Sequence, residues 1–344
     1  MKFGMANIGG QMDTDETRSL ALRRRRARRR DARLLTALGI VFALAVSGAV
    51  GYAVQPGGSG PGDGALRVVT TTNFLDDTVR RIGGDDVTTV RLMGPGVDPH
   101  LYQAKASDLD EMRSADAVIA VGLFLEGSLQ RTLDEVARSK PVLFAGEAIP
   151  ERLLLSPPAD AAPEEEHDPH VWFDPQLWVH VVDAITGELS ELDPANAADY
   201  RRRGAAYRAD VLAMARDVRA LIERIPERKR QIVTSHDAFR YFGRAFGMDV
   251  VAIQGISTQQ EATTTDISRV AARIARSGVR SVFVETSVSR QTLEAVLAAV
   301  RRQGGDVRIG GELYSDAAGD DGTPEGTYLG MVRANAHRLV EGLA

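Results

Sequence analysis

From residue 66 onward the chain alternates between short, nearly continuous apolar runs and longer stretches whose apolar positions recur every three or four residues. The runs in the first half are RVVTTT (67–72), TTVRLM (88–93), AVIAVG (117–122) and PVLFAG (141–146). Those in the second are QIVTSH (231–236), VVAIQG (250–255), SVFVET (281–286) and DVRIGG (306–311). Unbroken apolar strands alternating with helical patterns predict parallel sheets covered on both faces. The helices carry their own punctuation. SDLDEMRSA opens with a Ser-x-x-Asp cap pattern, while DISRVAARIARSG and SRQTLEAVLAAVRRQGG end on glycine.

Between the two sets of strands lies DPANAADYRRRGAAYRADVLAMARDVRALIERIP (193–226). Asp193 reads as an N-cap, Pro194 suits the first helical position and Pro226 ends the run. Such a helix is longer than one small domain needs. The expected fold is therefore α/β with two lobes, each a four-stranded parallel sheet flanked by helices. The lobes are 66–193 and 226–344, joined by one long rigid helix over 194–225.

The N-terminus changes the picture. Residues 1–33 are polar and contain RRRRARRR at 23–30, which alone would suggest a nucleic-acid arm. The next 21 residues, 34–54, carry no charge. A basic region before an apolar run describes a secretory signal peptide, or a membrane anchor whose basic end stays in the cytoplasm. Residues 55–65, rich in Gly, Pro and Ser, read as a flexible linker. Ten Lys and Arg and four Asp and Glu fall in 1–53, leaving 32 and 43 for the remainder, a net charge of −11 there. An exported domain that acidic is a poor partner for nucleic acid and a reasonable one for cations. The chain has no cysteine, which excludes disulfides, thiolate metal sites and lipid attachment at an N-terminal cysteine.

Candidate chemistry centres on histidine, of which there are six. Asp-Pro-His occurs twice, in VDPHLY (97–102) and HDPHVWFD (167–174). Proline fixes its own φ and extends the residue before it, so each imidazole leaves a stiff turn. In parallel sheets, ligands bind beyond the C-terminal strand ends. His100 follows the second expected strand, His170 the fourth, His236 the fifth and Asp316 the eighth. Alone, His100 and His170 read equally well as hydrogen-bonded structural residues, while His236 reads better as one and Asp316 better as a turn or cap residue. Together they form a plausible shell for Zn²⁺ or a similar divalent ion. His180 and His337 read as surface or packed histidines, and His167 as part of a solvated acidic loop. Trp172, Phe173 and FRYF (239–242) read as packing between the lobes.

The motifs GPGVDPHLYQAKASDL, DPHVWFDP, TSHDAFRYF, QGIST, FVET and GELYSDAAGDDGTPEGTY, in this order and spacing, resemble the metal-specific solute-binding proteins of ABC importers. The resemblance is to cluster A-I, also called cluster 9, the zinc and manganese family, and it covers 66–344. It implies two α/β lobes joined by a rigid helix, with His100, His170, His236 and Asp316 holding the ion between them. Glu285, at a strand end beside the same cleft, is a candidate partner of those ligands. Manganese-preferring relatives often carry a carboxylate where His236 stands, and many relatives are lipoproteins, which this chain without cysteine departs from.

The expected function is that of a non-enzymatic receptor on the outer side of the cytoplasmic membrane or in the periplasm. It would capture Zn²⁺ or Mn²⁺ as cargo, use no catalytic cofactor, act as a monomer and deliver to a membrane permease with a cytoplasmic ATPase. A metallohydrolase and a metal-stapled adhesion module are the rival readings. Cargo release is expected to proceed through the loops around Asp316 and His236, since AAGDDGTPEG (317–326) is glycine-rich whereas Pro99 and Pro169 stiffen the other two turns.

Overall fold

All eight expected strands form, in a computed structural model that describes residues 64–343 apart from 160 and 278. The basic segment 1–33, the apolar segment 34–54 and most of the linker lie outside the described residues. In the first half β1 (Leu66–Thr70), β2 (Val87–Arg91), β3 (Ala117–Ala120) and β4 (Val142–Phe144) make one parallel sheet in the order β2-β1-β3-β4. α1 (Asn73–Gly83), α2 (Ala106–Ser114) and α3 (Gln130–Val136) supply its crossovers. Val68, Val69 and all of β3 are fully buried, which is why these runs are apolar without alternation.

The second half repeats the winding with a difference. β5 (Gln231–Thr234) pairs in parallel with β6 (Asp249–Ala252), and β7 (Ser281–Glu285) with β8 (Arg308–Leu313). β5 lies beside β7, yet among the described residues no ladder joins them, so the expected four-stranded sheet is two parallel pairs. At the seam the Glu285 side chain, not a backbone carbonyl, accepts the His236 N–H at 2.9 Å. α6 (Arg240–Phe246), α7 (Thr264–Ser277), α8 (Gln291–Arg302) and α9 (Tyr328–Leu343) complete this half.

The chain crosses between the halves through α4 (Pro175–Leu192) and α5 (Ala197–Ile222). The long helix is thus shorter than 194–225, and Asp193 does not cap it. Asp193 follows the last turn of α4, and its carboxylate accepts from Asn196 Nδ2 (2.7 Å) and the Tyr200 hydroxyl (2.8 Å). Asn196, not Asp193, precedes α5, because Pro194 is spent in the corner between the two helices. The cap of α2 is also displaced: Asp108 reaches back to the Lys105 N–H at 2.8 Å, so the helix starts before Ser107.

α5 is about 39 Å long at 1.5 Å per residue. It buries Tyr200, Gly204, Tyr207, Val211, Met214, Val218 and Ile222, one stripe at three- and four-residue spacing. Each Val, Met or Ile of that stripe stabilises the fold by roughly 1.5–3 kcal/mol relative to exposure. That outweighs the ~1 kcal/mol a mid-helix glycine forfeits. Gly204 is there for close approach: a Cβ would meet Thr186 Oγ1 of α4 at 2.2 Å. One apolar core runs through both halves, from Phe74 and Trp172 to Phe239, Tyr328 and Leu339. Phe173 stacks on Phe239 (4.5 Å) and Trp178 on Tyr328 (4.9 Å), an aromatic joint between the halves.

Candidate metal centre

The two Asp-Pro-His turns are built alike. Asp98 Oδ1 accepts the His100 N–H at 2.9 Å, and Asp168 Oδ1 accepts the His170 N–H at 3.0 Å. Each is an Asx turn with proline at its centre, so aspartate closes the turn that proline stiffens. His236 stands two residues beyond β5, and Glu285 is the last residue of β7. Both therefore lie where the strand order of the second half reverses, the position open α/β sheets favour for ligands. Asp316 follows β8.

These elements bring His100, His170, His236 and Asp316 together, each able to offer one donor atom and all donor atoms within 4.8 Å of one another. All four residues are buried, at 2% exposure or less. His236 Nε2 lies 3.3 Å from His170 Nε2 and 3.2 Å from Asp316 Oδ2, and His170 Nε2 lies 3.5 Å from Asp316 Oδ1. Ligands about 2.0–2.1 Å from a tetrahedral Zn²⁺ sit roughly 3.3–3.4 Å from one another. The spacings among His170, His236 and Asp316 match that edge, with the His100 donor within 4.8 Å of them. The His100 Nε2 and both Asp316 oxygens are buried without a hydrogen bond of good geometry. Leaving such atoms unpaired is costly in a pure packing role, and a cation between them satisfies all of them at once. His180, His337 and His167 stand outside this group.

The carboxylates around the site hold the rings. His170 Nδ1 pairs with Asp168 Oδ1 at 2.8 Å, while Asp168 Oδ2 accepts from Arg240 Nη1 at 3.2 Å. His236 Nδ1 lies 2.5 Å from Glu285 Oε2. Each carboxylate fixes the tautomer that turns Nε2 toward the centre. Sequence reasoning named Glu285 but missed Asp168, although the signal was present in the Asp-Pro-His spacing itself.

Charge follows from burial and neighbours. Burial pushes His100 down to about 3 despite the attraction of Asp316, so it is neutral with a lone pair to offer. Burial opposes charge on His236 as well, but Asp316 and Glu285 outweigh it and hold this ring well above its ordinary value. Burial likewise opposes charge on Asp316, yet the facing histidines, His236 foremost, keep it well below the usual carboxylate range. In the metal-free protein a proton on His236 therefore occupies the electrostatic place of the cation.

The glycine-rich segment after β8 is not loose. The Asn73 side chain brackets Ala318, donating to its carbonyl (2.9 Å) and accepting its N–H (2.8 Å). Arg91 makes two 2.8 Å bonds to Asp321, and Trp172 Nε1 donates to the Ser315 carbonyl at 3.0 Å. A Cβ at Gly326 or Gly330 would meet backbone oxygen at 2.3 or 1.7 Å. Those two glycines permit tight packing, while Gly322 within the segment stands in open space at φ +78°.

Residues 68–342 match the family model described as ZnuA, zinc-uptake complex component A, periplasmic. The chain is 39% identical over 281 residues to the manganese-binding lipoprotein MntA of Bacillus subtilis (strain 168), covering 82% of this chain and 90% of that protein. It is 41% identical over 284 residues to the zinc-binding protein TroA of Treponema pallidum (strain Nichols), with the same coverage, 82% and 90%. The solved structure of the periplasmic zinc binding protein TroA from Treponema pallidum superposes with a TM-score of 0.78 at 40% identity, covering 82% of this chain and 100% of that one.

Proposed function

Because the chain belongs to the family of zinc-uptake complex component A, we propose that it is the extracytoplasmic receptor of an ABC importer and captures Zn²⁺ or Mn²⁺ through His100, His170, His236 and Asp316. Members of this family are transport binding proteins, not enzymes. The observation that carries the assignment of the site is the convergence of three imidazoles and one carboxylate, buried and spaced as ligands of a single ion. A catalytic zinc keeps one position for water, whereas here the protein supplies four donors.

The choice of cargo follows the donors. Three nitrogens favour Zn²⁺ by the Irving–Williams order. Asp316, whose two oxygens both face imidazoles of the group, offers the second oxygen that a Mn²⁺ shell of higher coordination uses. Residues 66–193 and 226–344 serve as the two lobes, and the loaded monomer delivers its ion to a membrane permease with a cytoplasmic ATPase. With no cysteine to carry lipid, the apolar segment 34–54 is the export signal or the tether.

Elemental analysis of the purified chain with competitive titration of Zn²⁺ and Mn²⁺ tests the reading. One equivalent of tightly held metal is expected, abolished or severely weakened by His170→Ala, with the chelated protein still folded. Metal-dependent hydrolytic turnover, or unfolding on chelation, would overturn it.

A further inference from the structure

The four donors are not held equally. Asp168 pairs with the His170 ring and Glu285 faces the His236 ring, while the segment carrying Asp316 is bonded to Asn73, Arg91 and Trp172. No hydrogen bond reaches the His100 ring among the described residues, and its Nε2 is buried. Packing against the His170 and His236 rings aside, the hydrogen bonds that place it are those of its backbone. The N–H is held by Asp98, and the carbonyl accepts from Ser128 Oγ (2.8 Å) and Gln259 Nε2 (3.1 Å). Asp98 is tied in turn by Thr258, whose hydroxyl donates to Oδ2 at 2.6 Å. Ser128 belongs to the same half as His100. Thr258 and Gln259 come from the other half, in the loop 253–263 between β6 and α7.

We propose that Thr258 and Gln259 form a latch across the cleft that keeps the Asp98-Pro99-His100 turn closed on the cargo, and that opening this latch frees His100 first and so sets the rate of metal release. The proposal rests on the receptor reading and adds positioning residues to it. When the latch opens, Ser128 keeps His100 with its own half, whereas His170, although it comes from that same half, is tied through Asp168 to Arg240 of the other, so the shell loses one ligand while His170, His236 and Asp316 stay together. A three-donor shell with an opened side is a state from which an ion can be passed on.

The test is the rate at which the full-length zinc-loaded chain, purified in detergent, surrenders Zn²⁺ to an excess of chromogenic chelator in stopped flow. Thr258→Val keeps the shape of the side chain and removes the donor to a carboxylate. It is expected to speed release roughly tenfold or more while leaving the association rate unchanged. Thr258→Ser keeps the hydroxyl and should release at the wild-type rate. Gly127→Ala probes the latch from the other side, since a Cβ there would come within 2.7 Å of Gln259 Nε2, the movable end of a flexible side chain. It should speed release several-fold. Wild-type release rates in both Thr258→Val and Gly127→Ala, or equally fast release by Thr258→Ser and Thr258→Val, would overturn the latch. If Thr258→Val does not fold, Gly127→Ala decides alone. Failure of the wild-type chain to bind Zn²⁺ would instead refute the receptor reading.

Discussion

Glu285→Gln separates the two jobs that a carboxylate behind a metal-bound histidine performs. In the wild-type chain one Glu285 oxygen accepts the His236 N–H at 2.9 Å and the other lies 2.5 Å from Nδ1. The amide keeps the size and can still accept one of these bonds, but it removes the negative charge. Losing the partner of a metal-bound histidine typically costs 10–100-fold in metal affinity, about 1.4–2.8 kcal/mol. The same charge also helps hold the ring protonated when no metal is present, with His236 well above its ordinary value. Only neutral imidazole binds metal, so wild-type affinity must fall as pH drops through and below that raised value. Removing the charge weakens this competition. The variant should therefore show its full deficit near pH 8.5 and a smaller one near pH 6.5, and it should release fewer protons per Zn²⁺ at neutral pH. Competitive titration across that range, with calorimetry in buffers of different ionisation enthalpy to count protons, measures both. Affinity within twofold of wild type, with an unchanged pH slope, would show that Glu285 does not act on the ion through His236.

His236→Glu is expected to shift the ratio of Zn²⁺ to Mn²⁺ dissociation constants toward Mn²⁺, because a hard oxygen replaces a borderline nitrogen. Affinity for both ions should fall as well, since the new carboxylate faces Glu285, and titration of the double variant with Glu285→Gln should restore part of that loss. The metal-free protein gains stability from the His236 proton that is fully present below about pH 6.5 and lost as pH rises through the raised folded value. Thermal melts should accordingly show the zinc-induced increase in Tm growing from pH 6.5 to 8.5, and an increase independent of pH would contradict the assignment. Gly204→Ala should destabilise the chain by about 1–2 kcal/mol, because overpacking against Thr186 typically costs ~1–3 kcal/mol and the helix gains at most ~1 kcal/mol. Urea unfolding checks the sign, and adding Thr186→Ala should recover most of the loss.

What could be read in the chain was local, and what escaped was not. The central strands β1, β3, β5 and β7 were legible because each is a short apolar run that is mostly buried, a pattern contained in six residues. Helix starts were misplaced where a second side chain competed: Asp193 serves Asn196 and Tyr200, and Asp108 reaches back to Lys105. The open seam between β5 and β7 depends on where a glutamate 49 positions from His236 puts its oxygens, which no local pattern encodes. Composition likewise cannot show that a Cβ at Gly326 would meet the Asp320 carbonyl at 2.3 Å while one at Gly322 would meet nothing. The two Asp-Pro-His turns make the point most sharply. Their sequences are the same and their local hydrogen bonds are the same. Yet Asp168 turns inward, one oxygen serving both the backbone and the ring of His170 and the other paired with Arg240. Asp98 instead spends its second oxygen on Thr258, 160 positions away. Under the proposed latch, one motif thus yields a fixed ligand and a releasable one. A site that must bind its ion tightly and later let it go needs both, and the difference between them lies in the partners that the fold brings to each aspartate.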